Sequence, residues 1–404
     1  MLPSFIYRLL KRRHFWRYAS FDEVAELYAS RTMRLLAQYM VSLFIALYLY
    51  QQGFPLLFIA LFFAGYFLIK IPLEFVAGFV AARYGPKHGI LVGNLLYIPA
   101  LLCLSFVPEY GIYAVIAFGL IQAWSVSIYN LCFLVDFSKV KHIEHAGKEI
   151  GFMQIFERAT TSLAPLLGGV VATMFSVEAA MWLSAVLLAV ASWPLMRTRE
   201  QTIVGQKLKF HAFPWRSTFS SLRAETAVGW DTVASNIMWV LFVAMVVFAG
   251  SGNDIYLKIG AFASVTIVTS FVAAYVFGRL IDRHRGGDLL RFSAIANVFT
   301  HLARPFVTTP ASVVGTNITN ELATTGYMMA FNRGIFDTAD GTGRRIVYIL
   351  FVEIFHDFGS MLACGTLALL LVWLPSILAF QVFFVVTAFY GLLLLTARFP
   401  LYRK

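Results

Sequence analysis

Long apolar runs constrain this chain more than any other feature of its sequence. A helix needs about 20 mainly apolar residues to cross the hydrocarbon core of a membrane, and runs of that length recur about a dozen times. With 59% hydrophobic and 13% charged residues, the composition excludes a soluble globular domain. We therefore predict an all-α membrane protein with twelve transmembrane helices. The predicted spans are residues 30–51, 55–82, 89–107, 110–135, 150–175, 178–196, 228–250, 255–281, 289–307, 310–332, 345–373 and 375–397.

The positions of lysine and arginine predict how the chain is oriented. Basic residues occur in the N-terminal segment, in the tail and in every loop that follows an even-numbered span, whereas the loops after odd-numbered spans hold none. Short cytoplasmic loops carry the positive excess, so we expect a plasma-membrane protein with both termini in the cytoplasm. The net charge of +11 is spread over these short segments, which argues against a nucleic-acid partner.

A polar segment after the sixth span divides the chain into two halves. It contains a short amphipathic set, Trp215, Phe219 and Leu222, which predicts a short helix. The predicted division is a basic, interfacial N-terminal segment (1–28), an N-terminal six-helix bundle (29–196), a cytoplasmic linker with a short amphipathic helix (197–226), a C-terminal six-helix bundle (227–397) and a cytoplasmic tail (398–404).

A repeat relates the two halves to each other. The stretch from Gly147 to Gly169 recurs in altered form from Gly343 to Gly365 without a gap, and each copy carries a glutamate at its eleventh residue, Glu157 and Glu353. Carboxylates inside apolar spans are costly and normally face a bundle interior or an aqueous path. Two pseudo-symmetric bundles of this kind are typical of secondary transporters, whose substrate site lies between the halves.

Short motifs at the ends of the second and eighth spans resemble those of the major facilitator superfamily. GRLIDRHRGG, which begins at Gly278, is similar to the GxLxDRxGRR loop of that family, and GFVAARYGPKHG, which begins at Gly78, looks like its first copy. The resemblance assigns Gly78, Arg83, Gly278, Asp282 and Arg283 to a gating-loop motif. It also implies alternating access, with helices 1, 4, 7 and 10 around a central cavity and helices 2, 5, 8 and 11 at the moving interface.

The eleventh span holds the strongest candidates for proton handling. Glu353, His356, Asp357 and Ser360 are spaced so that all four lie on one helical face. Clustered acids beside an imidazole can exchange protons in a low-dielectric interior, and Glu157 is the repeat-related partner of Glu353. We therefore predict that Glu157, Glu353, His356 and Asp357 couple transport to protons. The alternative is a polar network that only locks two helices together.

Polar and aromatic residues in other spans are the substrate-binding candidates. Amides, charges and rings together suit a polar or zwitterionic organic molecule, because rings supply contact area and polar groups supply orientation. The alternatives are a self-contained Lys70–Glu74 pair on the second helix, an ion pair from Arg158 to an acid of helix 10 or 11, and a gate pair between Arg31 and Asp231. The candidates are Arg34, Lys70, Glu74, Trp124, Asn236, Asn317 and Glu321.

No cofactor or metal site is predicted. His142 and His145, in the loop after the fourth span, have a spacing that could bind metal, but a solvated loop beside anionic lipid is the better interpretation. The three cysteines lie in separate apolar spans, without metal or redox spacing. Asn297, His301 and Arg304 of helix 9 are expected to contact neighbouring helices or the outer interface rather than to take part in chemistry.

The predicted function is secondary active transport of a polar or charged small organic molecule, coupled to protons, by a monomer that is not an enzyme. APLLGG, Ala164–Gly169, is similar to the helix 5 motif of the family's exporters and favours efflux by antiport. Three alternatives stay open: a lipid or lysolipid flippase of the same fold, a membrane-embedded transferase, and a sensor that binds ligand without transport. No nucleophile beside a suitably spaced base supports the transferase.

Overall fold

A computed structural model describes the backbone of residues 21–140, 146–196, 207–211 and 213–402. It describes the side chains of these residues except 21–27, 137–140, 146–155 and 253. The predicted interfacial segment before residue 21 and the two histidines of the loop after the fourth span therefore lie outside the described residues.

The described chain is helical and contains no strand within these ranges. Its helices group into twelve long rods, which agrees with the predicted all-α fold. They are α1 (Phe21–Ser42 and Ile45–Gln51), α2 (Leu56–Arg83), α3 (Pro86–Ser105), α4 (Ile112–Val140), α5 (Ala146–Met174), α6 (Val177–Ser192), α7 (Trp215–Val233, Ala234–Met238 and Trp239–Val246), α8 (Ile255–Ser264 and Ile267–Asp282), α9 (Gly286–Ala303), α10 (Pro310–Gly341), α11 (Arg345–Trp373) and α12 (Ser376–Gly391).

Nine of the rods in the described part of the chain are long and apolar enough to cross a membrane. The other three long rods are α5, α9 and α10, which carry acidic, basic and amide side chains along their length. Polar groups at this depth must face the protein interior. These three helices therefore supply part of the polar interior.

Several helices extend beyond the apolar runs. The amphipathic set at Trp215 forms the first turns of α7, in one continuous helix with the span predicted to begin near residue 228. α10 likewise continues to Gly341, beyond the predicted end at residue 332. Hydropathy misses such turns because they carry polar side chains. In α7 some of these side chains contact α11, as Ser221 does through the Tyr348 hydroxyl and Glu225 through His356. The middle of α7 is a π-helical segment, Ala234–Met238, a local widening that often accompanies functional sites.

The halves meet along two helix pairs, α2 with α11 and α5 with α8. Small residues allow these helices to approach closely. A Cβ atom on Gly169 of α5 would lie 2.5 Å from the Tyr256 carbonyl oxygen of α8, and one on Gly260 would lie 2.3 Å from the Pro165 carbonyl oxygen. These are the helices that the family resemblance assigned to the moving interface.

The two ends of the bundle differ in chemistry. We call the end that carries Arg83, Arg283 and Arg344 the basic end, and the other the apolar end. At the apolar end a hydrophobic cluster joins α1, α7 and α12 and includes Leu47 and Phe242. The helices thus enclose a polar interior, with this hydrophobic cluster at one end and basic loops at the other.

Candidate substrate and proton site

An ion pair crosses the interface between the halves. The Nζ atom of Lys70, on α2, donates to Oδ1 of Asp357, on α11, over 2.5 Å. The two side chains are only 4% and 0% exposed. The alternative of a self-contained Lys70–Glu74 pair within α2 is therefore wrong: lysine preceding glutamate is the weaker order on a helix, and Asp357 offers an acceptor from the facing helix.

Two further carboxyl groups surround this ion pair. Glu74 is fully buried, and neither of its carboxyl oxygens has a hydrogen-bond partner among the described residues. Glu353 is 8% exposed and lies close enough to Lys70 and Asp357 to interact with both electrostatically. Three carboxyl groups thus share one ammonium group. A buried ionised carboxylate without a partner costs several kcal/mol, so three ionised carboxyl groups beside a single ammonium group would be strongly disfavoured.

His356 and Ser360 face a different helix from Asp357. His356 Nδ1 lies 3.1 Å from Glu225 Oε1 on α7, and the Ser360 hydroxyl donates to the Gly229 carbonyl oxygen over 2.9 Å. The predicted acidic stripe of α11 therefore contacts two neighbouring helices, α2 through Asp357 and α7 through His356 and Ser360. Glu225 was not a predicted site residue, because it fell in the predicted linker. The helical periodicity running back from residue 228 through Leu222 was the signal that could have placed it in α7.

α5 contributes two adjacent charges that face different partners. Glu157 accepts from Arg31 Nε of α1 over 2.8 Å within the N-terminal half. Arg158 lies 3.4 Å from Glu321 Oε1 of α10, across the halves. The predicted pairing of Arg158 with an acid of helix 10 or 11 is confirmed. The predicted gate pair of Arg31 with Asp231 is wrong, since Arg31 is held by Glu157.

Arg34 of α1 is fully buried without a carboxylate partner among the described side chains. Its Nη1 atom donates to Asn94 Oδ1 of α3 over 2.9 Å. The guanidinium carbon lies 3.7 Å from the ring centroid of Tyr129 and 5.3 Å from that of Tyr97. Gln122 donates to the Tyr97 hydroxyl over 3.0 Å. Arg34 is thus held in place by an amide and two aromatic rings.

A second buried cluster occupies the C-terminal half beside the π-helical segment of α7. Asp231 Oδ1 lies 2.6 Å from His301 Nε2 of α9, and Oδ2 accepts from the Tyr327 hydroxyl of α10. Arg304 Nη1 lies 3.0 Å from His301 Nδ1, and its Nη2 atom donates to Asn320 Oδ1 over 2.9 Å. The expectation that His301 and Arg304 contact neighbouring helices is confirmed. Their carboxylate partner, Asp231, had been predicted to face Arg31.

The comparisons agree with this architecture. The model of the family described as the major facilitator superfamily matches residues 27–257. The chain belongs to the major facilitator superfamily. No curated protein matches the sequence.

Solved structures of major facilitator proteins share the fold over almost the whole chain. A single-residue variant of the Escherichia coli fucose:proton symporter FucP is 16% identical, with a TM-score of 0.61, and the match covers 92% of this chain and 98% of that chain. A mutant of the nucleoside transporter NupG is 12% identical, with a TM-score of 0.66 and coverage of 92% and 97%. FucP in the outward conformation is 15% identical, with a TM-score of 0.62 and coverage of 91% and 97%.

The residues predicted to form a gating-loop motif occupy equivalent places in the two halves. Arg83 is the last residue of α2 and Asp282 the last residue of α8, and Arg283 follows directly. Gly78 faces α11, where an added Cβ would lie 2.5 Å from Leu350 Cδ1. Gly278 is buried in the last turns of α8. The motif thus lies at the basic end, where α2 and α8 reach the loops.

The remaining substrate candidates differ in how exposed their side chains are. Asn317 of α10 accepts from Trp239 Nε1 of α7 over 2.9 Å, and Asn236 is an exposed amide on the π-helical segment. Trp124 of α4 is 41% exposed, and its neighbour one turn away, Leu120, is 44% exposed. The role of Trp124 in substrate binding stays a prediction.

Proposed function

We propose that this protein is a proton-coupled secondary transporter that moves a polar or charged small organic molecule by alternating access. Membership of a transporter superfamily supports transport in general. The observation that carries the proton coupling is the buried Lys70–Asp357 pair between α2 and α11, with Glu74 and Glu353 beside it. The solved fucose:proton symporter has the same fold, which supports the proton as the coupling ion.

A charge count supports the need for protons in the cluster. Four acids, Glu74, Glu225, Glu353 and Asp357, face one lysine and His356. Even if both bases were charged, two acids would have no counter-charge. Because uncompensated buried charge is costly, binding of protons to two of the acids balances the cluster while α2 and α11 remain in contact.

The same ion pair provides a way to couple protonation to movement. A proton on Asp357 removes the charge that holds Lys70, which weakens the contact between α2 and α11. Opening at this interface then admits water, and water lowers the cost of ionising the acids and so favours proton release. Arg158 of α5 and Glu321 of α10 form another ion pair between the halves, over 3.4 Å. Substrate binding near these two residues can therefore influence the interface between α5 and α8.

We also propose that both termini lie in the cytoplasm and that a monomer exports its substrate. Basic loops at one end support cytoplasmic termini in the plasma membrane. The APLLGG motif of α5 supports export by proton antiport. A self-contained pair of six-helix halves supports a monomer as the transporting unit.

The test is flux in proteoliposomes that carry an internal pH-sensitive dye and an imposed pH gradient. A substrate screen is run with the parent protein, Glu353→Gln and Asp357→Asn, and Asp340→Asn is the matched control because Asp340 pairs with Arg345 at the basic end. We expect the parent and the control to accumulate substrate against its gradient, while both α11 variants lose accumulation but keep substrate exchange. Equal accumulation by Glu353→Gln and Asp357→Asn would exclude proton coupling through this cluster.

A further inference from the structure

We propose that Arg34 is the binding site for an oxyanion, such as the carboxylate, phosphate or sulfonate group of the transported molecule. The proposal rests on the proposed transport function for its biological ligand. The site itself follows from the geometry of the guanidinium group and can be tested without transport.

Arg34 carries a buried positive charge that the described part of the protein leaves uncompensated. It is 0% exposed, and no described carboxylate pairs with it. The neighbouring base, Arg31, is committed to Glu157 over 2.8 Å and adds to the positive potential. A buried charge of this kind is costly unless it is paired, so its presence indicates a partner that arrives from outside the chain.

The unpartnered atoms lie on one edge of the guanidinium group. Nη1 donates to Asn94, whereas Nε and Nη2 have no hydrogen-bond partner among the described residues. These two nitrogens form the side of the fork that binds two oxygens of a carboxylate or phosphate in parallel. The free edge therefore has the geometry for a bidentate oxyanion, and Asn94 fixes the opposite corner.

The surroundings hold that edge rigidly. The rings of Tyr129 and Tyr97 pack against the guanidinium at 3.7 and 5.3 Å from its central carbon, which restrains the group through cation–π contacts. A donor that is free, restrained and desolvated binds an anion with little ordering cost.

Arg304 provides a matched control for a structural arginine. It is 1% exposed and also packs on aromatic rings. Unlike Arg34, it donates through Nη1 and Nη2 to described acceptors, including Asn320 over 2.9 Å and Ser235 over 3.0 Å. The two residues therefore differ in partners rather than in burial.

The experiment measures the Tm of the purified full chain in neutral detergent for the parent, Arg34→Met and Arg304→Met. Each is titrated with sodium sulfate against sodium chloride of equal ionic strength. We expect Arg34→Met to keep or raise the Tm without sulfate, because it removes an unpaired buried charge, and Arg304→Met to lower it by several degrees. Sulfate should raise the parent's Tm in a saturable way, and Arg34→Met should abolish that rise.

A second set of samples identifies the source of the anion. The measurements are repeated in nanodiscs of phosphatidylcholine with and without phosphatidylglycerol. Stabilisation by phosphatidylglycerol but not by sulfate, lost in Arg34→Met, supports the oxyanion site and assigns its ligand to a lipid headgroup. A fall in Tm for Arg34→Met as large as for Arg304→Met, or no response of the parent to either anion, overturns the proposal. If the parent binds sulfate but moves no compound of the substrate screen in response to a gradient, the transport function is refuted and the anion site stands.

Discussion

Replacing Asp357 with asparagine tests the ion pair on which the proposed coupling depends. The substitution leaves the ammonium group of Lys70, whose side chain is 4% exposed, facing a neutral amide. With unit charges at the observed separation of 2.5 Å and an effective dielectric constant of about 20, the lost attraction is at most about 7 kcal/mol. Because desolvation has already offset much of that attraction, we expect a net loss of about 3–5 kcal/mol.

The double variant Lys70→Met/Asp357→Leu should recover most of this loss. With both charges removed, Glu74 and Glu353 stay buried without a nearby ammonium group and are accommodated in their protonated, neutral form. Replacing the buried pair itself by apolar groups is often neutral. The free energy of unfolding is measured by denaturant titration in detergent, as a double-mutant cycle with each single variant. A loss below about 1 kcal/mol for Asp357→Asn, or a double variant less stable than either single one, would refute the argument. Glu74→Gln added to Asp357→Asn should deepen the loss, because it removes a second of the three acids near Lys70.

Two other substitutions test the packing and the second polar cluster. Gly169→Ala should lower the free energy of unfolding by about 1–3 kcal/mol through overpacking, since its Cβ would lie 2.5 Å from the Tyr256 carbonyl oxygen. The control Gly65→Ala, whose Cβ would have nothing within 4 Å, should not lower it. Hydrogen exchange should rise in residues 44–51 and 255–264 only in Gly169→Ala, and unchanged exchange there would contradict the close crossing of α5 and α8. Asp231→Asn should lower stability by about 3–5 kcal/mol, because the carboxylate offsets the buried charge of Arg304 and accepts from the Tyr327 hydroxyl. Thermal unfolding measures this effect, and a Tm equal to that of the parent would mean that Asp231 does not compensate Arg304.

Much of the fold was readable from the chain because membrane insertion leaves a strong signal. Apolar runs must match the thickness of the hydrocarbon core, so the spans, their alternation with basic loops and the internal repeat all appeared in the sequence. Even the pairing of Arg158 with helix 10 or 11 followed from its position at a predicted interface.

The choice of partners could not be read in this way. Periodicity placed Glu353, His356 and Asp357 on one stripe, yet the structure directs Asp357 to α2 and His356 to α7. A helical face spans a wide arc, and which neighbour meets each part of it depends on packing between helices distant in sequence.

The sequence by itself determined that this is a helical membrane protein in two related halves with acids buried in its spans, because those properties depend on local hydropathy and repetition. Only the tertiary structure decided that Asp357 pairs with Lys70, that Asp231 joins His301 rather than Arg31, and that one edge of Arg34 is left without a protein partner. In a low-dielectric interior a buried charge is compensated by groups within a few ångströms on neighbouring helices. Spacing along the chain does not say which helices are neighbours.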